Sequence, residues 1–370
     1  MNSREFVEKL LAMADTKING DRPYDIKVHN NKFYRRVIAG GTLAFGESYM
    51  DGWWDCDALD ECVSHIIKAK LHDKVSFSVA NVSQYLRALL TNTGSPKKAF
   101  EVGEKHYDIG NDLFVAMLDK RMVYTCAYWK NAQNLDEAQE NKLDLVCRKL
   151  GLKKGQTVLD IGCGWGSFAK FAAEKYGVSV VGVTVSREQV ELAKENCKGL
   201  PIDIRLQDYR DVSEKFDSIV SLGMFEHVGY KNYHIYMRTV RNCLKEDGLF
   251  LLHTIGGNKS VKSADPWMDK YIFPNGMLPS MKQISASCEG LFIVEDWHSF
   301  GPDYDKTLLS WFSNFDKSWQ DLKHKYGDRF YRMWKYYLLS CAGAFRARDI
   351  QLWQIVLSPK GVAGGYQSVR

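Results

Sequence analysis

The stretch VLDIGCGWG, Val158 to Gly166, runs four apolar or acidic residues into three glycines spaced two apart, Gly162, Gly164 and Gly166. An apolar run that closes on such a turn reads as a strand feeding a helix, because glycine brings the backbone close to a ligand without a Cβ clash. Outward from it, apolar runs alternate with helical periodicity: TVLDIG, SFAKFAAEKYG, VSVVGVTV, REQVELAKENCKG, IDIRLQD, FDSIVSLGMFEHV, YHIYMRTVRNCLKEDG and LFLLHTIGG. That alternation predicts an α/β fold, a Rossmann-like parallel sheet with helices on both faces.

The chain has 370 residues, 45% of them hydrophobic and 13% aromatic, ample for a buried core. NTGSPKK, Asn92 to Lys98, is the clearest break. It predicts a smaller, mainly helical N-terminal domain over residues 1–100 and the α/β domain over 101–370. A net charge of +5 suits an acidic partner such as a phospholipid headgroup and falls short of the charge density of a nucleic-acid binder. The N-terminus MNSREFVEKLLAMAD reads as a short amphipathic helix without a long apolar run, which argues against secretion, and no later stretch has the length to span a bilayer. Nine scattered cysteines with no C-x-x-C pair argue against a disulfide framework and a structural zinc site, and predict a reducing cytoplasm and no metal.

The glycine turn alone does not name its ligand. A dinucleotide site would have an acid roughly 20 residues further on for the ribose. Here the second strand instead ends in GVTVSREQ, with Thr184 and Gln189, and Ser167 replaces the third fingerprint glycine. Asp160 just ahead of the loop would oppose a pyrophosphate but favour a cofactor carrying an ammonium and a sulfonium, as S-adenosylmethionine does. Gln207 and Asp208, after the third strand, stand where ligands meet strand ends and suit the adenine rim. The plainer readings are a carboxylate capping loop amides for Asp160 and a tight turn for the glycines.

With EKHYDIGNDLF, YTCAYW, the VLDIGCGWGSFAKFAAEKYGVSVVGVTVSREQ block, GMFEHVG, YIFPNGMLPS and CAGAFRARDIQLWQ in hand, the chain resembles the bacterial cyclopropane-fatty-acyl-phospholipid synthases. The likeness runs from GESYMDGWWD to RDIQLWQ and covers most of the chain. It implies a class I methyltransferase fold and methylene transfer from S-adenosylmethionine to a cis double bond of a phospholipid acyl chain. It places Tyr124 and Thr125 near the methionine carboxylate, with Thr125 where serine is expected. It places the loop Val158, Asp160, Gly162, Cys163, Gly164, Trp165 and Gly166 on the cofactor, with Thr184 and Gln189 on the ribose side and Gln207 and Asp208 at adenine. Core packing is the competing reading for Tyr124 and for Tyr128.

An alkene is a weak nucleophile, so the chemistry needs an aligned methyl group and a dry pocket for the carbocation that follows. Tyr271 and Phe273 of YIFPNG can face such a cation, or simply line the pocket. Ring closure removes a proton. For that step the resemblance implies a bound bicarbonate held by Cys126, Glu226, His253, the Ile255 amide and Tyr304. Donors from His, Tyr, Cys and a backbone N–H suit the oxygens of the anion, and Glu accepts its proton. A half-buried structural histidine, a helix-capping glutamate and a small buried cysteine are the rival readings. Cys341 of SCAGAFRARD, another cysteine of the family, reads better as close packing than as a nucleophile.

Expected partners are unsaturated phospholipids at the membrane surface and no nucleic acid, with a homodimer allowed for. Expected localisation is cytoplasmic, peripheral to the inner face of the cell membrane. Basic stretches KAKLHDK, PKK and Arg346 with Arg348 are candidates to meet headgroups, against a reading as solvated faces or internal ion pairs. The line Trp319, Leu322, Tyr326, Phe330, Trp334 and Tyr337 follows helical spacing and reads as core or lipid-tunnel wall. The rival functions are a methyltransferase for a small amine or hydroxyl, which needs no anion cage, and a catalytically silent lipid-binding protein.

Overall fold

The computed structural model describes residues 1–71 and 110–370. NTGSPKK, the boundary near Phe100, residues 104–109 of EKHYDIGNDLF and the end of KAKLHDK lie outside them. The chain divides into two compact units, neither continuous in sequence: Met1–Thr91 with Lys262–Pro274 and Tyr304–Ile350, and Asn92–Val261 with Asn275–Asp303 and Gln351–Arg370. The expected N-terminal helical segment is thus part of a unit that also takes in two later stretches.

In the helical unit the first helix, Ser3–Ala12, starts where the sequence predicts one. Its capping box satisfies two exposed donors: Asn2 Oδ1 accepts the Glu5 N–H at 2.9 Å, and Glu5 accepts the Asn2 N–H at 3.2 Å. Two-residue strands β1 (Lys27–Val28) and β2 (Trp54–Asp55) pair antiparallel. Trp54 is buried against Phe45 and Tyr49, with ring centroids 4.4 and 5.0 Å away. The long helix Asp328–Arg346 lies on the helix Leu59–Lys68. Gly343 makes that approach possible, since a Cβ there would stand 2.4 Å from the Asp60 carbonyl oxygen and 3.0 Å from the Ser64 nitrogen. The aromatic line from Trp319 to Tyr337 does not follow one helix. It breaks at Gly327, φ +75°, between Trp319–Tyr326 and Asp328–Arg346, and Tyr326 stacks on Phe330 at 4.6 Å across the break.

The second unit holds a seven-stranded sheet made of β3 (Thr157–Ile161), β4 (Ser179–Thr184), β5 (Ile202–Leu206), β6 (Phe216–Leu222), β7 (Leu244–Gly257), β8 (Ile293–Ser299) and β9 (Ile350–Ser358). Their order is β5-β4-β3-β6-β7-β9-β8. From β5 to β7 all neighbours run parallel, as the alternation predicts. The sheet is nevertheless mixed, because β8 and β9 pair antiparallel. Most of the chain between those two belongs to the helical unit, so no strand–helix–strand alternation marks them in the sequence.

Both faces are covered, which is why the inner strands read as near-continuous apolar runs. Leu159, Ile161, Ile219 and Phe250 join Tyr236, Met237 and Ile284 in one core, and Val158, Val180, Val220 and Leu251 join Phe168, Ala172, Leu143 and Val146 in the other. The chain changes direction beside β3, with β4 on one side and β6 on the other. Ligands of open α/β sheets bind at the strand ends there.

Candidate active site

The turn after β3 has the backbone its glycines require. Gly162, Gly164 and Gly166 all lie in the left-handed region, at φ +81°, +55° and +81°. At Gly162 a Cβ would meet Met224 at 2.9 Å, and at Gly166 it would meet Cys197 Sγ at 2.8 Å, so these two also serve packing. At Gly164 no described residue stands within 4 Å. That open position faces away from the packed interior and fits close approach by a ligand. Cys163 and Trp165 are buried, and Trp165 Nε1 donates to Asn111 Oδ1 at 3.1 Å.

Asp160 is buried near the end of β3, and its Oδ2 has no hydrogen-bond partner among the described residues. Burial raises its carboxyl to about 7, with Lys142 opposing. A buried carboxylate oxygen left without a donor fits a cationic ligand group. On β4 the Thr184 hydroxyl donates to Gln189 Oε1 at 2.8 Å, and Ser186 caps the helix that carries Gln189. Asp208 is engaged by its own neighbour: the Arg210 guanidinium donates to both of its oxygens, and the Arg210 N–H adds a third bond. Gln207, half-buried, donates its backbone N–H to the Thr184 carbonyl at 3.0 Å.

Thr125 brings in a residue that the sequence reading passed over. Lys142, fully buried on the helix Leu135–Lys149, donates to Thr125 Oγ1 at 2.7 Å. Burial lowers its ammonium to about 8, against the pull of Asp119 and Asp160. The signal was there. Gln139, Lys142 and Lys149 recur at three- and seven-residue spacing on the face that Ala138 and Val146 bury, where an apolar stripe should be unbroken. Tyr124 packs edge-on against Phe114 at 5.1 Å.

The remaining groups meet at the ends of β6 and β7. Leu222 registers with His253, and the Gly223 N–H donates to the His253 carbonyl at 2.9 Å, which turns the chain so that Glu226 reaches β7. Glu226 Oε1 accepts the Ile255 N–H at 2.6 Å, and the Met277 N–H holds the Glu226 carbonyl at 2.8 Å. The amide that the resemblance assigns to an anion is thus taken by Glu226 in this structure. Glu226 Oε2 and His253 Nε2 are both buried and have no partner among the described residues. Burial raises the Glu226 carboxyl to about 7, with the Ile255 N–H and, more weakly, the Thr254 hydroxyl opposing, and burial together with Lys142 and Lys149 holds His253 well below its usual range. Cys126 is buried, and its Sγ donates to the Ala127 carbonyl at 3.2 Å.

Not every expected residue belongs to this unit. Tyr304 and Cys341 fall in the helical unit. Tyr304 is buried against Phe345 and Trp311, with centroids 4.6 and 5.9 Å away. Burial pushes the Cys341 thiol up to about 12, the reverse of what an activated nucleophile needs. Among the described residues no cluster of His, Cys, Asp and Glu is arranged to hold a metal, and no helix is long and apolar enough to cross a membrane.

A family profile described as mycolic acid cyclopropane synthetase matches residues 94–355. The chain is 53% identical over 369 residues to the cyclopropane-fatty-acyl-phospholipid synthase of Escherichia coli strain K12, covering 100% of this chain and 96% of that one. The cyclopropane synthase MmaA2 of Mycobacterium tuberculosis superposes with a TM-score of 0.65 at 31% identity, over 70% of this chain and 97% of the other. The mycolic acid cyclopropane synthase CmaA1, solved with SAH and CTAB, gives a TM-score of 0.65 at 32% identity with the same coverage.

Proposed function

We propose that this chain, a methyltransferase belonging to the mycolic acid cyclopropane synthetase family, moves a methylene carbon from S-adenosylmethionine to the cis double bond of an unsaturated phospholipid acyl chain. S-adenosylmethionine, when bound, supplies that carbon. The open turn at Gly164 and the unpartnered Asp160 fit its ammonium-bearing end, and Thr125, backed by Lys142, suits its carboxylate. Thr184, Gln189, Gln207 and Asp208 stand at the ends of β4 and β5, where the adenosine would lie.

The observation that carries the finer reading is the pair of buried, unpartnered atoms Glu226 Oε2 and His253 Nε2. Closing a three-membered ring releases one proton. A carboxylate acceptor and an imidazole there match a small oxyanion that carries one proton, and hydrogen carbonate bound there would supply a base. Leaving either atom bare costs about 1–3 kcal/mol, which a bound anion would relieve. Docking on the inner face of the cell membrane, from the cytoplasm, belongs to the same proposal, because the acyl chain lies in a bilayer.

Mass spectrometry of lipids from cells expressing the chain tests the reaction: unsaturated chains should gain the mass of one CH₂. Activity on vesicles in rigorously CO₂-depleted buffer should fall and recover with added bicarbonate. His253→Ala should raise the bicarbonate needed. Unchanged activity on depletion, with His253→Ala equally unaffected, removes the anion from the reaction. Tyr304→Phe separately tests the role that the resemblance implies for that hydroxyl.

A further inference from the structure

His253 has two ring nitrogens in different circumstances. Nε2 has no partner among the described residues, and Nδ1 lies 3.2 Å from Nε2 of the Gln354 side-chain amide. Gln354 sits on β9, the neighbour of β7 in the sheet, and is fully buried. We propose that Gln354 is a positioning residue that locks His253 as the Nε2–H tautomer, so that the ring is a hydrogen-bond donor toward the oxyanion. This rests on the reading of Glu226 and His253 as an anion site.

An amide nitrogen only donates, so Nδ1 facing it must carry its lone pair, and in a neutral ring the proton then resides on Nε2. In the structure the amide nitrogen of Gln354, not its Oε1, faces His253 Nδ1. Gln354 Oε1 has no partner among the described residues.

The consequence is selectivity. With Nε2–H as donor and Glu226 Oε2 as acceptor, the pair is complementary to an ion holding both an acceptor oxygen and one O–H. In the other tautomer a lone pair would face the oxygens of the anion and repel them. Gln354 would therefore set the sign of the His253 contribution without touching substrate.

Long-range ¹H–¹⁵N correlation spectra of the full chain with ¹⁵N-labelled histidine read the tautomer directly, with His253 assigned by its absence from His253→Asn. The wild type should show protonated Nε2 and bare Nδ1. Protonated Nδ1 in the wild type overturns the proposal without any Gln354 variant. Gln354→Leu should give mixed tautomers and raise the bicarbonate concentration for half-maximal activity about tenfold, the effect of a weakened donor. Gln354→Glu should draw the proton to Nδ1 and lose activity that bicarbonate does not restore. An unchanged His253 spectrum in Gln354→Leu overturns the role of Gln354 even if bicarbonate dependence holds. A shifted spectrum without any bicarbonate dependence in the wild type leaves the tautomer lock standing and sinks the anion site.

Discussion

Glu226→Gln should abolish turnover while making the protein more stable in mild alkali. The amide keeps an oxygen to accept the Ile255 N–H, so the local turn survives. What disappears is the charge and acceptor at Oε2, the atom left bare in the buried pocket. General acid–base groups are worth roughly 10²- to 10⁴-fold, or about 3–5 kcal/mol of barrier. The stability effect follows from linkage. Burial raises the native carboxyl to about 7 from an ordinary 4.5, so between those values the native state holds more protons than the unfolded one. Stability therefore falls as pH rises from about 4.5 to 7 and stays low above, a cost of about 3 kcal/mol at 1.36 kcal/mol per unit. Glutamine does not titrate and escapes that loss. Urea unfolding of both proteins at pH 5 and pH 8, beside vesicle turnover, should show the mutant gaining about 2.5 kcal/mol on the wild type between the two pH values. Equal turnover would take Glu226 out of the chemistry. A stability difference that does not change with pH would show that the carboxyl is not strained by burial.

Asp160→Asn should weaken S-adenosylmethionine binding by about 10- to 100-fold in calorimetric titration, the value of a charge-assisted contact, while raising stability above pH 7 by the same linkage. Lys142→Met should flatten the rise in stability expected between pH 8 and 10.5: the native ammonium, held down to about 8, gives up its proton before the unfolded one, so the wild type gains stability across that window and methionine cannot. A parallel pH dependence in the two proteins would refute the burial of that charge. Gly343→Ala should cost about 1–3 kcal/mol in denaturant unfolding, because its methyl would lie 2.4 Å from the Asp60 carbonyl oxygen and force two helices apart. A loss under half a kilocalorie would mean that the helices can separate freely.

The α/β alternation was legible because buried parallel strands and amphipathic helices differ in period, and the glycine turn because left-handed backbone admits few other residues. β8 and β9 escaped that reading, since the residues between them go to another unit. Asp160 and Glu226 could be placed at strand ends from the alternation, whereas His253, expected to follow its strand, lies within β7, which runs on to Gly257. What spacing could not show is that Glu226 spends one oxygen on Ile255, or that Asp208 is occupied by Arg210, because these are matters of side-chain reach. Gln354 was invisible for a related reason. It sits in the apolar run IQLWQIVLS, and nothing local tells which strand lies beside it.

The sequence break near Phe100 suggests that a chain begun there would keep cofactor binding and lose only lipid delivery. The composition of the helical unit argues otherwise: such a chain would retain Asp328–Arg346 but lack Leu59–Lys68, the helix it packs on, and would expose that apolar face. The same interleaving constrains how the protein is made. Residues up to Leu71 leave the ribosome 275 positions before Arg346, the difference between those two numbers. At roughly 5–20 residues per second the early helices wait about 15–55 s for their partner. During that interval Tyr49 and Phe45, which pack on Tyr336 in the finished fold, lack part of their eventual cover, so the nascent chain presents an aromatic surface that chaperones, or other nascent chains, can bind first.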